Sequence, residues 1–166
     1  MLLRHGKSDW HAGAGGDFGR PLAKRGEEAS MRIGSWLLDH DLLPEHIIAS
    51  PAARARKTAD NICSVTGISA SVLSTDERLY LADVGSLLEV IHQCPPAAGS
   101  LMIVGHNPGL EELLERLCTD PAPEPENGKL MPTAALAILQ FNGAWNALDT
   151  ASAHLQALTR PRLLKD

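Results

Sequence analysis

The chain has 166 residues, of which 44% are apolar and 21% charged, which suits one globular domain with one core. Its net charge of −5 and sequence pI near 5.8 argue against general nucleic-acid or membrane-surface binding, which favour a basic balance. No run approaches the ~20 apolar residues that span a bilayer, and no secretory signal stands out. Cys63, Cys94 and Cys118 are odd in number and far apart, so neither a disulfide framework nor a metal site is expected, and a reducing, cytoplasmic location is.

Met1 to Arg4 reads as a strand, short because only four residues precede the histidine after it, or entered partway by the numbering. The Gly-rich stretch from Ala12 to Gly19 predicts a mobile loop. From Ala23 to His40, Ala29, Ile33, Trp36 and Leu37 fall at helical spacing. A short β-rich run spans His46 to Ser50, and Ala52 to Thr66 predicts a helix that Gly67 can end. Ala70 to Ser74 is a weaker strand. Val84 to Gln93 predicts a helix before Pro95-Pro96, Leu101 to Val104 a buried strand, and Leu110 to Cys118 another helix. Asp120 to Gly128, rich in proline and acid, reads as a rigid surface loop. Thr133 to Phe141 and Ala144 to Leu148 predict a closing hairpin turning at Asn142-Gly143.

Alternating strands and helices imply an α/β layer fold with a mostly parallel sheet, whose ligands bind beyond the carboxyl ends of the strands. Three such ends carry polar residues. The first is followed by Arg4-His5-Gly6-Lys7-Ser8, the second by Ser50-Pro51-Ala52-Ala53-Arg54, and the buried strand by Gly105-His106-Asn107-Pro108. Ser50 and Asn107, each before a proline, read as helix N-caps, so each end also opens an anion-favouring helix N-terminus. Together the ends bring two arginines and two histidines, with no acidic residue intrinsic to the set. That combination suits a phosphate dianion. An imidazole can carry a phosphoryl group covalently if its other nitrogen is held by a hydrogen bond, while Arg4, Arg54 and His106 can stabilise the equatorial oxygens where charge spreads.

These residues resemble the histidine phosphatase superfamily, also called phosphoglycerate-mutase-like. The matching marks are Arg4-His5-Gly6, Ser50 to Ala55 followed by Thr58-Ala59, and Gly105-His106. More narrowly, Arg4 to Trp10, Arg20-Pro21-Leu22 with Gly26, Gly105 to Pro108 and Pro132-Thr133-Ala134 are similar to the small SixA-type phosphohistidine phosphatases. The resemblance runs along nearly the whole chain. It implies one histidine phosphatase domain over residues 1–166, a three-layer α/β/α sandwich, a phosphohistidine intermediate on His5, and phosphate held by Arg4, Arg54 and His106. It implies no metal and no organic cofactor. Gly6, Lys7, Ser8, Arg20 and Asn107 are candidate substrate contacts.

One departure bears on the substrate. Relatives that cleave alkyl phosphoesters place a glutamate proton donor after the third strand, where this chain has Leu81. Glu77 and Asp83 stand nearby but out of register, Asp83 being the possible donor though such a residue is more often a helix N-cap. An alkoxide leaving group needs general-acid help worth about 10²- to 10⁴-fold, whereas an imidazole can be protonated before the P–N bond breaks. The expected partner is therefore a protein carrying phosphohistidine. The alternatives are a small-molecule phosphomonoesterase acting on phosphorylated metabolites and a non-catalytic phosphoprotein-binding module.

Overall fold

The computed structural model describes residues 1–12, 15–123 and 128–164. Six strands form one sheet in the order β3-β2-β4-β1-β5-β6: β1 (Leu2–Arg4), β2 (His46–Ala49), β3 (Leu73–Thr75), β4 (Leu101–Gly105), β5 (Leu136–Gln140) and β6 (His154–Thr159). The first four run parallel, while β5 is antiparallel to β1 and to β6. The helices are α1 (Gly16–Gly19), α2 (Lys24–Asp39), α3 (Ala53–Thr66), α4 (Val84–His92) and α5 (Gly109–Leu117).

The two faces of the sheet are covered by different helices, and the strands show why. Successive strand side chains point to opposite faces. Leu3, Ile47, Met102, Val104 and Leu136 join Ile33 and Leu37 of α2 and Ala55, Ala59 and Ile62 of α3 in one buried cluster. Their neighbours Leu2, Leu101, Ile103 and Ala137 join Leu87 and Ile91 of α4 and Leu110, Leu113 and Leu114 of α5 in the other. The result is the three-layer α/β/α sandwich with a mostly parallel sheet that the strand–helix alternation predicts. Central strands buried on both faces read as continuous apolar runs, and Leu101 to Gly105 is buried throughout.

Four readings change. Ala144 to Leu148 is not a strand: Trp145–Ala147 is a 3₁₀ turn, because the Trp145 indole donates to Ala98 O at 2.9 Å and its ring packs edge-on against Phe141. The partner of β5 is instead β6, a strand the sequence reading missed. The weak strand at Ala70 shifts to Leu73–Thr75, since the Ser69 hydroxyl accepts from Ser71 N–H and Ala70–Val72 winds into a 3₁₀ turn. The Gly-rich loop contains the helical turn α1; its residues 13–14 lie outside the described residues, as do residues 124–127 of the acidic loop.

The helix caps also differ. α3 starts at Ala53 with Ala52 in the cap position, and α5 starts at Gly109 with Pro108 there. The Ser50 hydroxyl lies 2.8 Å from His106 Nε2, while Asn107 Nδ2 donates to Met131 O at 3.0 Å. Asn107 is thus spent on the strand-end cluster, while the Ser50 hydroxyl serves both His106 and, at 3.3 Å, the Ala52 N–H at the entrance to α3.

Candidate active site

Sheet register brings the three strand ends together. Arg4 pairs with Gly105 and Ala49 with Val104, so His5, His106 and Ser50 follow on adjacent strands. His5 N–H donates to Gly105 O at 3.1 Å and Ser50 N–H to Val104 O at 2.9 Å. Arg54, in the first turn of α3, is only 2% exposed and reaches back over this edge.

The result is a pocket of about 290 Å³ lined by Arg4, His5, Lys7, Ser8, Trp10, Asp17, Arg20, Arg54, Leu81, His106, Asn107 and Thr133. A second cavity, lined by Met1, Leu101, Phe141 and Trp145 among others at the opposite end of the strands, carries no ionisable side chain. Among the described residues, no group of three or more His, Cys, Asp or Glu could hold a metal ion.

The His5 ring is set for nucleophilic chemistry. Its Nδ1 lies 2.7 Å from Gly6 O, and because a carbonyl only accepts, Nδ1 carries the proton. Nε2 is left without a proton and accepts from Arg54 Nε at 3.3 Å. Burial, together with the nearby His106 and arginines and against the Gly6 contact, lowers the His5 pKa to about 3. His106 is lowered to about 4, first by burial and then by Arg54. Both imidazoles are therefore neutral at neutral pH. His106 presents Nδ1 to Arg54 Nη2 at 3.4 Å, and an incoming dianion would raise its affinity for a proton.

The loop carrying His5 is pinned by close backbone contact. Gly6 N–H donates to Thr58 Oγ1 at 3.0 Å, and that hydroxyl donates to Arg54 O at 2.7 Å. A Cβ on Gly6 would sit 2.5 Å from Gly26 O, and one on Gly26 would run into Lys7 O. Glycine is required at both places because two backbones touch. Gly6 therefore shapes the loop, its N–H committed to Thr58, and it does not line the pocket.

The other candidates divide. Lys7, Ser8, Arg20 and Asn107 all line the pocket. Arg4 Nη1 and Asn107 Nδ2 both donate to Met131 O, at 2.8 and 3.0 Å. Arg4 Nε and Asn107 Oδ1 are buried without a protein partner among the described residues. Asp83 does not line the pocket; its carboxylate accepts from Ser86 N–H at 2.8 Å and caps α4. Glu77 is also absent from the lining, whereas Leu81 contributes to it.

The expectation of an acid-free set fails at Asp17. Its carboxylate pairs with Arg54 Nη2 at 3.0 Å and with Arg20 Nη2 at 2.9 Å, and accepts from the Tyr80 hydroxyl at 2.7 Å. Its backbone carbonyl accepts from Arg54 Nη1 at 2.6 Å. The Tyr80 hydrogen bond, then the arginines, hold this carboxyl below the usual range. Tyr80 also meets His106 edge-on, with ring centroids 5.6 Å apart. Trp10 stacks on the Arg20 guanidinium at 3.6 Å, so Arg20 both lines the pocket and holds the segment around it. A lone aspartate between glycines carries no local signal; its meaning comes from Arg54, 37 residues away.

Comparison with known proteins agrees with this geometry. A sequence model of the histidine phosphatase superfamily (branch 1) matches residues 1–93. The chain is 32% identical over 164 residues to the uncharacterized protein Rv1276c of Mycobacterium tuberculosis, covering 96% of this chain and all of that one. It is 24% identical to the phosphohistidine phosphatase SixA of Escherichia coli, covering 88% and 87%. Among solved structures, a candidate SixA from Nakamurella multipartitia superposes with a TM-score of 0.78 at 30% identity, covering 96% and 95% of the two chains. With its strand-end histidines and arginines in place, the chain belongs to the histidine phosphatase superfamily.

Proposed function

We propose that this protein is a phosphohistidine phosphatase that passes the phosphoryl group through its own His5. The observation that carries this reading is the His5 ring itself: Nδ1 is held by Gly6 O at 2.7 Å, and the unprotonated Nε2 accepts from the Arg54 guanidinium in a pocket that also holds Arg4 and His106. An imidazole so fixed is neutral and oriented, as a nucleophile toward phosphorus must be. In-line attack by Nε2 forms a new P–N bond, and the substrate's imidazole leaves with its bonding electrons. Arg54 and Arg4 donate to the equatorial oxygens, where transition-state charge spreads, and His106 joins them once the bound dianion has drawn a proton onto its Nδ1. Water then hydrolyses phospho-His5 and releases phosphate.

Two features favour phosphohistidine on a protein over an alkyl phosphate. Leu81, which cannot donate a proton, lines the pocket, while Asp83 is engaged as a cap and Glu77 is absent from the lining. The rim is also open, with Trp10 and Leu81 68% and 59% exposed, leaving room for a side chain presented by another folded protein. No metal or organic cofactor is required. Three buried free cysteines suit a reducing, cytoplasmic location.

The test is to mix the protein with a ³²P-phosphohistidine protein, quench in alkaline detergent, and compare wild type with His5→Ala. Wild type is expected to carry an acid-labile, alkali-stable label that the variant lacks, and to turn over phosphohistidine faster than sugar phosphates. An unlabelled wild type overturns the covalent route. Equal or faster turnover of sugar phosphates overturns the substrate.

A further inference from the structure

If Leu81 leaves the pocket without the usual acid, some other group must handle the proton of the water that hydrolyses phospho-His5. We propose that Asp17 is that group: its carboxylate is the general base for the second half of the reaction. The inference rests on the phospho-His5 reading above.

The geometry is organised by Arg54. Its guanidinium lies between His5 and Asp17, with Nε toward His5 Nε2 at 3.3 Å and Nη1 and Nη2 on Asp17 O and Oδ2 at 2.6 and 3.0 Å. A phosphoryl group bound to that fork has His5 on one side and Asp17 on the other. In-line hydrolysis requires the water opposite Nε2, on the mouth side. Asp17 is the carboxylate among the described pocket-lining residues, and its side chain is 44% exposed to the mouth against 3% for Arg54.

The phosphoryl oxygens and the carboxylate compete for the same guanidinium, so the bound dianion moves Asp17 off Arg54. Arg20 and the Tyr80 hydroxyl, at 2.9 and 2.7 Å, keep it at the rim. The loss of one cationic partner and the arrival of a dianion both raise the basicity of a carboxylate that is weakly basic in the empty pocket. In the step itself, the water oxygen bonds to phosphorus as one O–H bond breaks. The proton goes to an Asp17 carboxylate oxygen, and the P–N bond breaks with its electron pair returning to His5 Nε2. Inorganic phosphate leaves, and Asp17 returns its proton to solvent.

A residue that only held Arg54 in place would affect capture of the phosphoryl group. A base for the water affects its release. The experiment therefore follows the lifetime of the label on His5 after a single dose of phosphoramidate. Asp17→Asn is expected to label on His5 and to lose the label about 10²- to 10³-fold more slowly than wild type, the usual scale for a general base. Label loss within about twofold of wild type overturns the proposal, as does a folded variant, judged by its melting curve, that takes no label at all.

Tyr80→Phe supplies an arm that leaves the carboxylate in place. Without its hydroxyl partner Asp17 binds a proton more readily, so the acid limb of label loss moves to higher pH. An unmoved limb overturns the proposal even if Asp17→Asn fails to fold. A wild type that never labels His5 fails the underlying reading instead, and is told apart because there is then no label whose decay can be followed.

Discussion

On the pocket floor, His5, Arg54 and His106 are 8%, 2% and 4% exposed, while on the rim Trp10 and Leu81 remain 68% and 59% exposed. The floor hangs from the register of β1, β2 and β4 and from one turn of α3 packed against them. The rim comes from short segments tied mainly by side chains: Asp17 to Arg20 and Tyr80, Arg20 to Trp10. A group fixed by sheet register holds its place whether or not a ligand is bound, as a nucleophile and its charge-stabilising partners must. A group fixed by a few polar contacts can yield to a ligand, which suits the carboxylate proposed to give up Arg54 when a phosphoryl group binds.

That contrast breaks most directly at Arg54. Arg54→Lys keeps the charge but loses the fork that reaches His5, His106 and Asp17 together. Its kcat/KM is expected to fall about 10²- to 10³-fold with an unchanged melting temperature. Steady-state kinetics with an aryl phosphate checks this, and a loss of only a few-fold would show that the floor is no more demanding than the rim.

Gly26→Ala asks whether the floor depends on backbone contact. The added Cβ meets Lys7 O, a backbone atom that cannot swing aside, so the strain is expected to cost about 1–3 kcal/mol. For a chain of this size that lowers Tm by roughly 2–4 °C per kcal/mol, and thermal unfolding reads it. Activity should fall with it, because the strained loop carries His5.

The floor also predicts an acid sensitivity. His5 and His106 titrate near 3 and 4 in the fold rather than near their ordinary 6.5. As pH drops below about 6.5 the unfolded chain takes up protons that the native state refuses, so native stability is full above that pH and declines down to pH 3–4. Urea melts at pH 7 and pH 4.5 measure the slope, and His106→Gln is expected to flatten it in part. An unchanged slope in that variant would mean that His106 is not a source.

The smallest effect belongs to the rim. Trp10→Ala removes an exposed cation–π contact with Arg20 worth about 0.5–1 kcal/mol. KM for an aryl phosphate should rise about two- to fivefold with kcat nearly unchanged. A large drop in kcat would place Trp10 with the floor.

The parts of the fold readable from the chain are those whose signals are local. Runs such as Leu101 to Gly105 and the helical spacing of Ile33 and Leu37 declare their burial within a few residues. The same locality misled at Asn142-Gly143, a sound hairpin dipeptide overruled when Trp145 docked on Ala98. It misled again at Asn107, whose side chain went to Met131 O rather than to a helix end.

For the site, the sequence alone determined that Arg4, His5 and His106 stand at strand ends and Arg54 at the opening of the helix after the second strand, because strand and helix periodicity locate those ends and a parallel sheet gathers them. Tertiary structure alone decided that Asp17 belongs among them and that Gly6 serves the backbone. The physical reason is distance along the chain: each of those assignments depends on a partner's position or a packing contact that no neighbouring residue encodes.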